Sequence, residues 1–595
     1  MGWQHQGKRA IAATFRGVYL ARRAQARWFM PPVPDRLTLG AETPEYQPVS
    51  AANTTNRGPA KPRNILFITV DQQRFDALGV NGGQIARTPA LDALAAAGRN
   101  YQRAHVQNVV CMPSRSTMLT GQHPWTHGVF ANGVPLPDDA PSVAELLRTQ
   151  ANYRTALIGK AHFDPHLDPT LRFYENRVAA QGQRGPWHGF EHLELATHGP
   201  MVGHHYADWL WRHNPGAIDG FGGVLTGEGG GDTGAPEVTH NPIPRAQYHT
   251  DWVAVRTVAW LGQQATERPF FCWMSFPDPH HPLDPPFDEV NKRVNWRELE
   301  LPPGHPGSPE AIRAILAQKP RHWLDWYEGR FKNPEGGPVL FDPQRFTHDQ
   351  VREVNAMIHV ENELIDEACA RVFDHLQSTK QLDDTDIFYT SDHGELQGDF
   401  GLMFKGPYHV ESLLRIPMIW RPAPNATASA TAGVMDAAAG AMTTQAPVGH
   451  VDLAPTFCEI AGIATPPWMQ GRPLPTTPND PRDAVLTTFD SQFAAVGMHL
   501  QTIYRDGLLC TTYGPRTHDE GGKFPVYWRI WGAGTSPPDY DGSEGELYDV
   551  VADPHQHVNL WNDPVWRVRR DELVAQLHAT LPPKRTPALR VAAPT

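Results

Sequence analysis

The sequence predicts an α/β protein: helices sandwiching a large, mostly parallel β-sheet, followed by a smaller C-terminal α+β part. Three observations carry this. Short continuous apolar runs such as "NILFITV" suit strands buried on both faces. Segments with apolar residues at helical spacing alternate with those runs. Past residue 480 the alternation gives way to a hairpin signal and one last helix.

Residues 1–60 come first. Lys8, Arg9, Arg16, Arg22, Arg23 and Arg27 occur without an acid among residues 1–30, and a proline-containing stretch runs on to Pro62. This predicts a basic, poorly ordered extension and a linker. It lacks the apolar centre and small-residue cleavage site of a secretory signal, so a cytoplasmic location is expected.

A catalytic unit is expected over residues 61–480. Ile65 to Val70 form a buried strand that ends at Asp71. Leu91, Leu94 and Ala95 share a helix face, and Gly98 stops that helix. Ser142 caps the next helix, with Glu145 three residues on. "YRTALIGKAHF" reads as strand then loop, and "PFFCWMSFPDPHHP" as a strand running into a Pro/His loop. Residues 351–376 are a long helix. "DIFYTSDHGE" is a second buried strand ending in Asp-His, "RIPMIW" a further strand, and "VDLAPTFCEIAG" a helix. Two insertions interrupt the pattern. Residues 165–250, rich in Gly, His and Trp, read as excursions over one end of the sheet, and Ala/Thr-rich 423–447 as a surface loop. In residues 481–595 the pair Asp506-Gly507 marks a hairpin turn. A final helix covers residues 565–578.

Composition excludes several classes. The formal net charge is −12, whereas a nucleic-acid binder needs a basic face. Five scattered cysteines form neither a disulfide framework nor a zinc motif. No run of about 18 apolar residues marks a transmembrane helix.

The chemistry lies at strand ends, where sites of parallel sheets form. Asp71-Gln72 and Asp392-His393 offer two carboxylates, an amide oxygen and an imidazole, a set that suits a hard divalent cation and admits Mn²⁺. An Asp at a strand end also serves as a turn or cap residue. Cys111 stands before a helix that starts near Pro113. It can be a packed thiol or a thiolate lowered by the helix N-terminus. Neither reading accounts for Arg115.

"CMPSR" resembles the maturation signature Cys-x-Pro-x-Arg of the sulfatase family. "TMLTGQHPWTHGV", "YRTALIGKAHF", "SFPDPHHP", "TSDHGE", "KGPYHVESLLRIPMI" and "ELYDVVADPHQHVNL" resemble further family segments in the family's order, over residues 62–575. The resemblance implies the alkaline-phosphatase-like fold. It implies that a formylglycine-generating enzyme converts Cys111 to Cα-formylglycine, whose hydrate is the nucleophile. It further implies that Asp71, Gln72, Cys111, Asp392 and His393 surround one divalent cation, Ca²⁺ or Mn²⁺. Arg115 would fix the hydrate, and Lys160 and Lys405 would clamp the anionic head group. His162 would accept the second hydrate proton, and His280 would face the leaving oxygen, with His281 as a local rival.

Many arylsulfatases carry two adjacent aspartates where this chain has Asp71-Gln72. Gln72 instead resembles the phosphonate monoester hydrolase branch. The expected activity is therefore hydrolysis of a sulfate monoester, with phosphonate monoester or phosphodiester hydrolysis as the alternative. A non-catalytic anion-binding protein would need Cys111 to stay a thiol. The expected partners are a small ester and the maturing enzyme, with no nucleic acid and no transmembrane segment, and a homo-oligomer is compatible with the sequence.

Overall fold

A computed structural model describes residues 63–593 except 167, 169–170, 201–202, 218–230, 240, 264–266, 331–340, 425–441, 479, 492–497 and 516–539; before residue 63 only Gly17 and Ala21 are described. The expected extension over 1–60 and most of the 423–447 loop therefore lie outside the described residues.

Eight strands form the main sheet. They are β1 (Asn64–Val70), β2 (Arg99–His105), β3 (Arg154–Gly159), β4 (His192–Leu195), β5 (Phe270–Ser275), β6 (Thr385–Ser391), β7 (Met418–Arg421) and β8 (Met442–Gly449). Their order is β4-β3-β5-β1-β6-β7-β2-β8. Only β7 runs against its neighbours, β6 and β2. The sheet is thus mostly parallel, as the alternation of runs and helices predicts.

β1 explains why its sequence is apolar throughout. Ile65 and Phe67 enter the core on one face, and Leu66, Ile68 and Val70 the core on the other. All five are fully buried, and each contributes about 1.5–3 kcal/mol by leaving water. The second face is covered by α1 (Pro89–Ala96), α4 (His205–His213), α5 (His249–Gly262) and α6 (His348–Ser378); the first packs on α2 (Cys111–Thr120), α3 (Val143–Gln150) and α7 (Leu453–Ile460). Ser142 caps α3 as expected, accepting from the Glu145 N–H. α6 starts three residues before the predicted Val351, because Thr347 and Gln350 close a reciprocal capping box.

A second, antiparallel sheet has the order β12-β11-β10-β9, with β9 (Ala484–Asp490), β10 (His499–Arg505), β11 (Leu508–Gly514) and β12 (Gly545–Asp549). The predicted turn joins β10 to β11, and Asp506 and Gly507 both have positive φ, as a two-residue type I′ turn requires. Leu500, Leu509 and Tyr548 face the main core. Ile503, Cys510 and Leu547 pack on Leu573 and Leu577 of α8 (Arg567–Thr580).

Three strands differ from expectation. β8 occupies 442–449, partly inside the stretch read as a loop. β2 and β4 are too polar to read as buried strands. Their polar groups find partners: the Arg99 guanidinium lies 4.7 Å from the Trp420 ring centre, and His105 Nε2 is 2.6 Å from Glu411.

Candidate active site

Four neighbouring parallel strands, β3, β5, β1 and β6, deliver side chains to one place beyond their carboxyl ends. β1 leads to Asp71 and Gln72, and β6 to Asp392 and His393. β3 leads to Lys160 and His162, and β5 to Asp278, His280 and His281. The pairing of β1 with β6 ends at Val70 opposite Ser391. Asp71 and Asp392 therefore emerge side by side, and the Gln72 N–H donates to Asp392 Oδ1 at 3.0 Å.

Cys111 opens α2, so the positive end of that helix faces the two aspartates. Its Sγ lies 3.6 Å from Asp71 Oδ1 and 3.2 Å from His393 Nε2. Burial, with Asp71 adding to it, pushes this thiol up to about 11. That direction runs against the thiolate reading.

Arg115, one turn further on, is fully buried. Nε donates to Asp392 Oδ2 at 2.8 Å and Nη2 to Asp71 Oδ2 at 3.4 Å. Nη1 donates to the Lys160 carbonyl and to Ser275 Oγ, each at 2.9 Å. A buried guanidinium is tolerable only with such a full set of acceptors.

Lys160 reaches Asp71 Oδ2 at 2.5 Å. It can do so because Gly159, at φ +111°, lets β3 close on β5; a Cβ there would lie 1.7 Å from the Ser275 carbonyl oxygen. Burial opposes the Asp71 charge, but Lys160 and Arg115 outweigh it and hold the carboxyl well below the usual range.

His393 shows which nitrogen can ligate. Nδ1 lies 2.9 Å from the Gly394 carbonyl, which only accepts, so Nδ1 carries the proton and the Nε2 lone pair faces Cys111. One atom each from Asp71, Cys111, Asp392 and His393 lies within 4.8 Å of the others, and all four residues are buried. This donor set fits a divalent cation.

Lys405 Nζ donates to Gln72 Oε1 at 2.6 Å and sits 2.5 Å from His280 Nε2. The predicted amide oxygen thus faces an ammonium, and the Gln72 amide N–H donates to Glu395. His280 Nδ1 lies against the His281 carbonyl at 2.5 Å. Its proton sits there, and Nε2 accepts from Lys405. Burial, then Lys405, pushes His280 well below the usual imidazole range. His280 Nε2 meets Lys405, and His281 Nδ1 approaches Gln72 Nε2 at 3.4 Å.

His162 is held by its backbone. Its N–H donates to Glu175 Oε1 at 2.8 Å, and its ring stacks on His166 at 3.9 Å. Burial, then His166 and Lys160, keeps it neutral. The structure therefore brings the predicted site residues together beyond the carboxyl ends of β3, β5, β1 and β6.

Three further participants lie outside the predicted site residues. His198, just after β4, lies 3.0 Å from Lys160 Nζ and stacks on His280 at 4.4 Å. Glu395 orients the Gln72 amide. Ser275 holds Arg115. Among the other histidines of residues 188–205, His205 takes the Leu195 N–H and bonds the Gln183 carbonyl, a structural role.

The profile of the sulfatase family matches residues 63–463. The chain belongs to the sulfatase family. It is 25% identical over 528 residues to an uncharacterised sulfatase, YidJ, of Escherichia coli, covering 88% of this chain and 86% of that one. It is 27% identical to the multifunctional alkaline phosphatase superfamily protein PehA of Trinickia caryophylli, over 85% and 92%. Among solved structures it is similar to the phosphonate monoester hydrolase SpPMH of Silicibacter pomeroyi, with a TM-score of 0.65, 21% identity and 87% and 94% coverage. That likeness is one of fold, and the fold is that of the alkaline phosphatase superfamily. This sulfatase is thus a hydrolase of a family that acts on sulfate esters. No helix among its described residues is long and apolar enough to cross a membrane.

Proposed function

We propose that this sulfatase hydrolyses a sulfate monoester to alcohol and sulfate, with Cys111 converted to formylglycine and a divalent cation, Ca²⁺ or Mn²⁺, beside it. The observation that carries the proposal is the seat of Cys111 between Asp71 and His393, with Arg115 bonded to both aspartates.

Asp71, Asp392 and His393 would hold the cation, and Gln72 would join them by turning its oxygen from Lys405. When bound, the cation draws negative charge from the ester and favours an ionised oxygen nearby. When present, the hydrated aldehyde at position 111 supplies the attacking oxygen.

The remaining work falls to the chain's own side chains. Lys160 and Lys405 stand on two sides of the site and bind the sulfonyl oxygens, where charge builds in the transition state. The Lys405–His280 pair would face the departing alcohol; His280 Nε2 holds a lone pair, so the proton taken up by the leaving oxygen as the S–O bond breaks would come from the Lys405 ammonium, leaving a neutral amine. Neutral His162 takes the second hydroxyl proton, which lets sulfate leave and restores the aldehyde. Arg115 holds both aspartates in place throughout.

Gln72 favours a second reading. An amide in place of a carboxylate lowers the negative charge facing the substrate, which suits a phosphonate monoester or phosphodiester. Mass spectrometry of the peptide spanning Cys111, from protein co-produced with a formylglycine-generating enzyme, tests the nucleophile. Rates on paired sulfate and phosphonate esters then test the substrate class. The aldehyde with faster sulfate turnover supports the proposal. An active protein that retains the thiol sinks it, and turnover of phosphonate alone moves the assignment to the second reading.

A further inference from the structure

We propose that His166, Glu175 and His204 form a second metal site, for a borderline cation of the zinc class, that clips the insertion to the wall of the active site. The inference does not depend on the reaction proposed above.

The three residues come from separate segments. His166 lies in the loop after β3, Glu175 where the chain returns, and His204 immediately before α4. One ligand atom from each lies within 4.8 Å of the others. His166 Nε2 is 3.0 Å from Glu175 Oε1, and His204 meets the His166 ring edge-on at 5.2 Å between centres. Glu175 is 1% and His204 3% exposed. His204 Nδ1 is buried and has no hydrogen-bond partner among the described residues. A buried polar nitrogen beside a second imidazole and a carboxylate is what an added ligand would satisfy.

The donor chemistry differs from that of the aspartate site. Two imidazoles and one carboxylate form a set that zinc uses with an open fourth position, while hard cations prefer oxygen. The N–H of His162 donates to Glu175 Oε1 at 2.8 Å. The N–H groups of Phe163 and Asp164 bind the other carboxylate oxygen, Oε2. Oε1, shared by His162 N–H and His166, is the oxygen a cation would take. Because His166 also stacks on His162, a cation here would immobilise the surface against which His162 rests.

The test uses tag-free full-length protein saturated with Ca²⁺ to fill the aspartate site, then titrated with Zn²⁺ or Co²⁺. The wild type should take up one further equivalent by dialysis and metal analysis, develop the visible d–d absorption of tetrahedral Co²⁺, and melt at a higher temperature with Zn²⁺. His204→Gln and His166→Gln should each weaken that uptake by more than about tenfold and abolish the melting shift. Equal uptake by wild type and variants overturns the site. If either variant fails to fold, the other and the wild-type Co²⁺ spectrum still decide: a spectrum without tetrahedral bands overturns the proposal as well.

Discussion

Arg115 Nε lies 2.8 Å from Asp392 Oδ2, and both side chains are shut off from solvent. The same guanidinium reaches Asp71, the Lys160 carbonyl and Ser275, so it joins the ends of β1, β3, β5 and β6. Arg115→Lys keeps the charge but cannot make these forked contacts. The variant should lose about 3–5 kcal/mol of stability, the cost of breaking a buried pair, and nearly all activity. Urea unfolding beside an ester assay checks both; wild-type stability would show that the pair does not hold the strands.

Cys111→Ala should remove turnover yet leave the fold. The side chain lost is small, and the cost should stay near 1 kcal/mol. Melting temperature and ester hydrolysis measured on one preparation separate the two effects. Residual turnover near the wild-type rate would take residue 111 out of the mechanism.

Asp392→Asn should lose the cation and the activity together, because it removes charge that both the cation and Arg115 require. Elemental analysis after dialysis is the measurement. A variant that keeps activity with no bound metal would contradict the assignment.

Glu395 touches no reacting atom in the proposed mechanism. It takes the Gln72 amide N–H and the N–H of Gln397, and so directs the Gln72 oxygen. Glu395→Ala should lower kcat/KM about 10–100-fold, the usual range for partners of metal-site ligands. Glu395→Gln, which keeps the shape, should recover part of it. Equal rates in all three proteins would dismiss the positioning role.

His322 gives a pH test. Nε2 faces the Pro407 carbonyl at 2.9 Å and Nδ1 the Tyr540 hydroxyl at 2.7 Å, and burial pushes the ring down to about 3. Unfolded, it titrates near ~6.5. Between those values the unfolded chain binds a proton that the fold refuses. Its stabilising contribution is full above about pH 6.5 and falls with pH at roughly 1.4 kcal/mol per unit. His322→Phe should flatten the pH dependence of unfolding free energy by about one proton across that window. An unchanged slope would mean that the folded protein admits the proton.

Much of this was legible from sequence where one residue serves one local need. β1 and β6 are apolar on both faces and stop at the aspartates, Ser142 and the Asp506-Gly507 turn work through their immediate neighbours, and "CMPSR" carries its family in five residues. β2 was not legible, because its polar side chains pair with distant groups such as Trp420 and Glu411. His198 and Glu395 could not be placed in the site from sequence, because what makes them part of it is contact with Lys160 and Gln72, 38 and 323 residues away in the chain. The insertion near 165–250 has no periodicity to read, and its histidines divide between the site, the Glu175 cluster and plain structural bonds.

If Cys111 is the converted residue, as proposed above, its complete burial sets an order of events in the protein's biosynthesis. A maturing enzyme must take the cysteine into its own cleft, and the finished fold offers no surface through which to do so. Under the proposed function, conversion at this position would belong to the nascent chain, before β1, β6 and α2 close around it. A cell that makes the maturing enzyme too late, or not at all, would accumulate molecules that are folded and inert. Adding the enzyme afterwards would not rescue them; unfolding and refolding in its presence would.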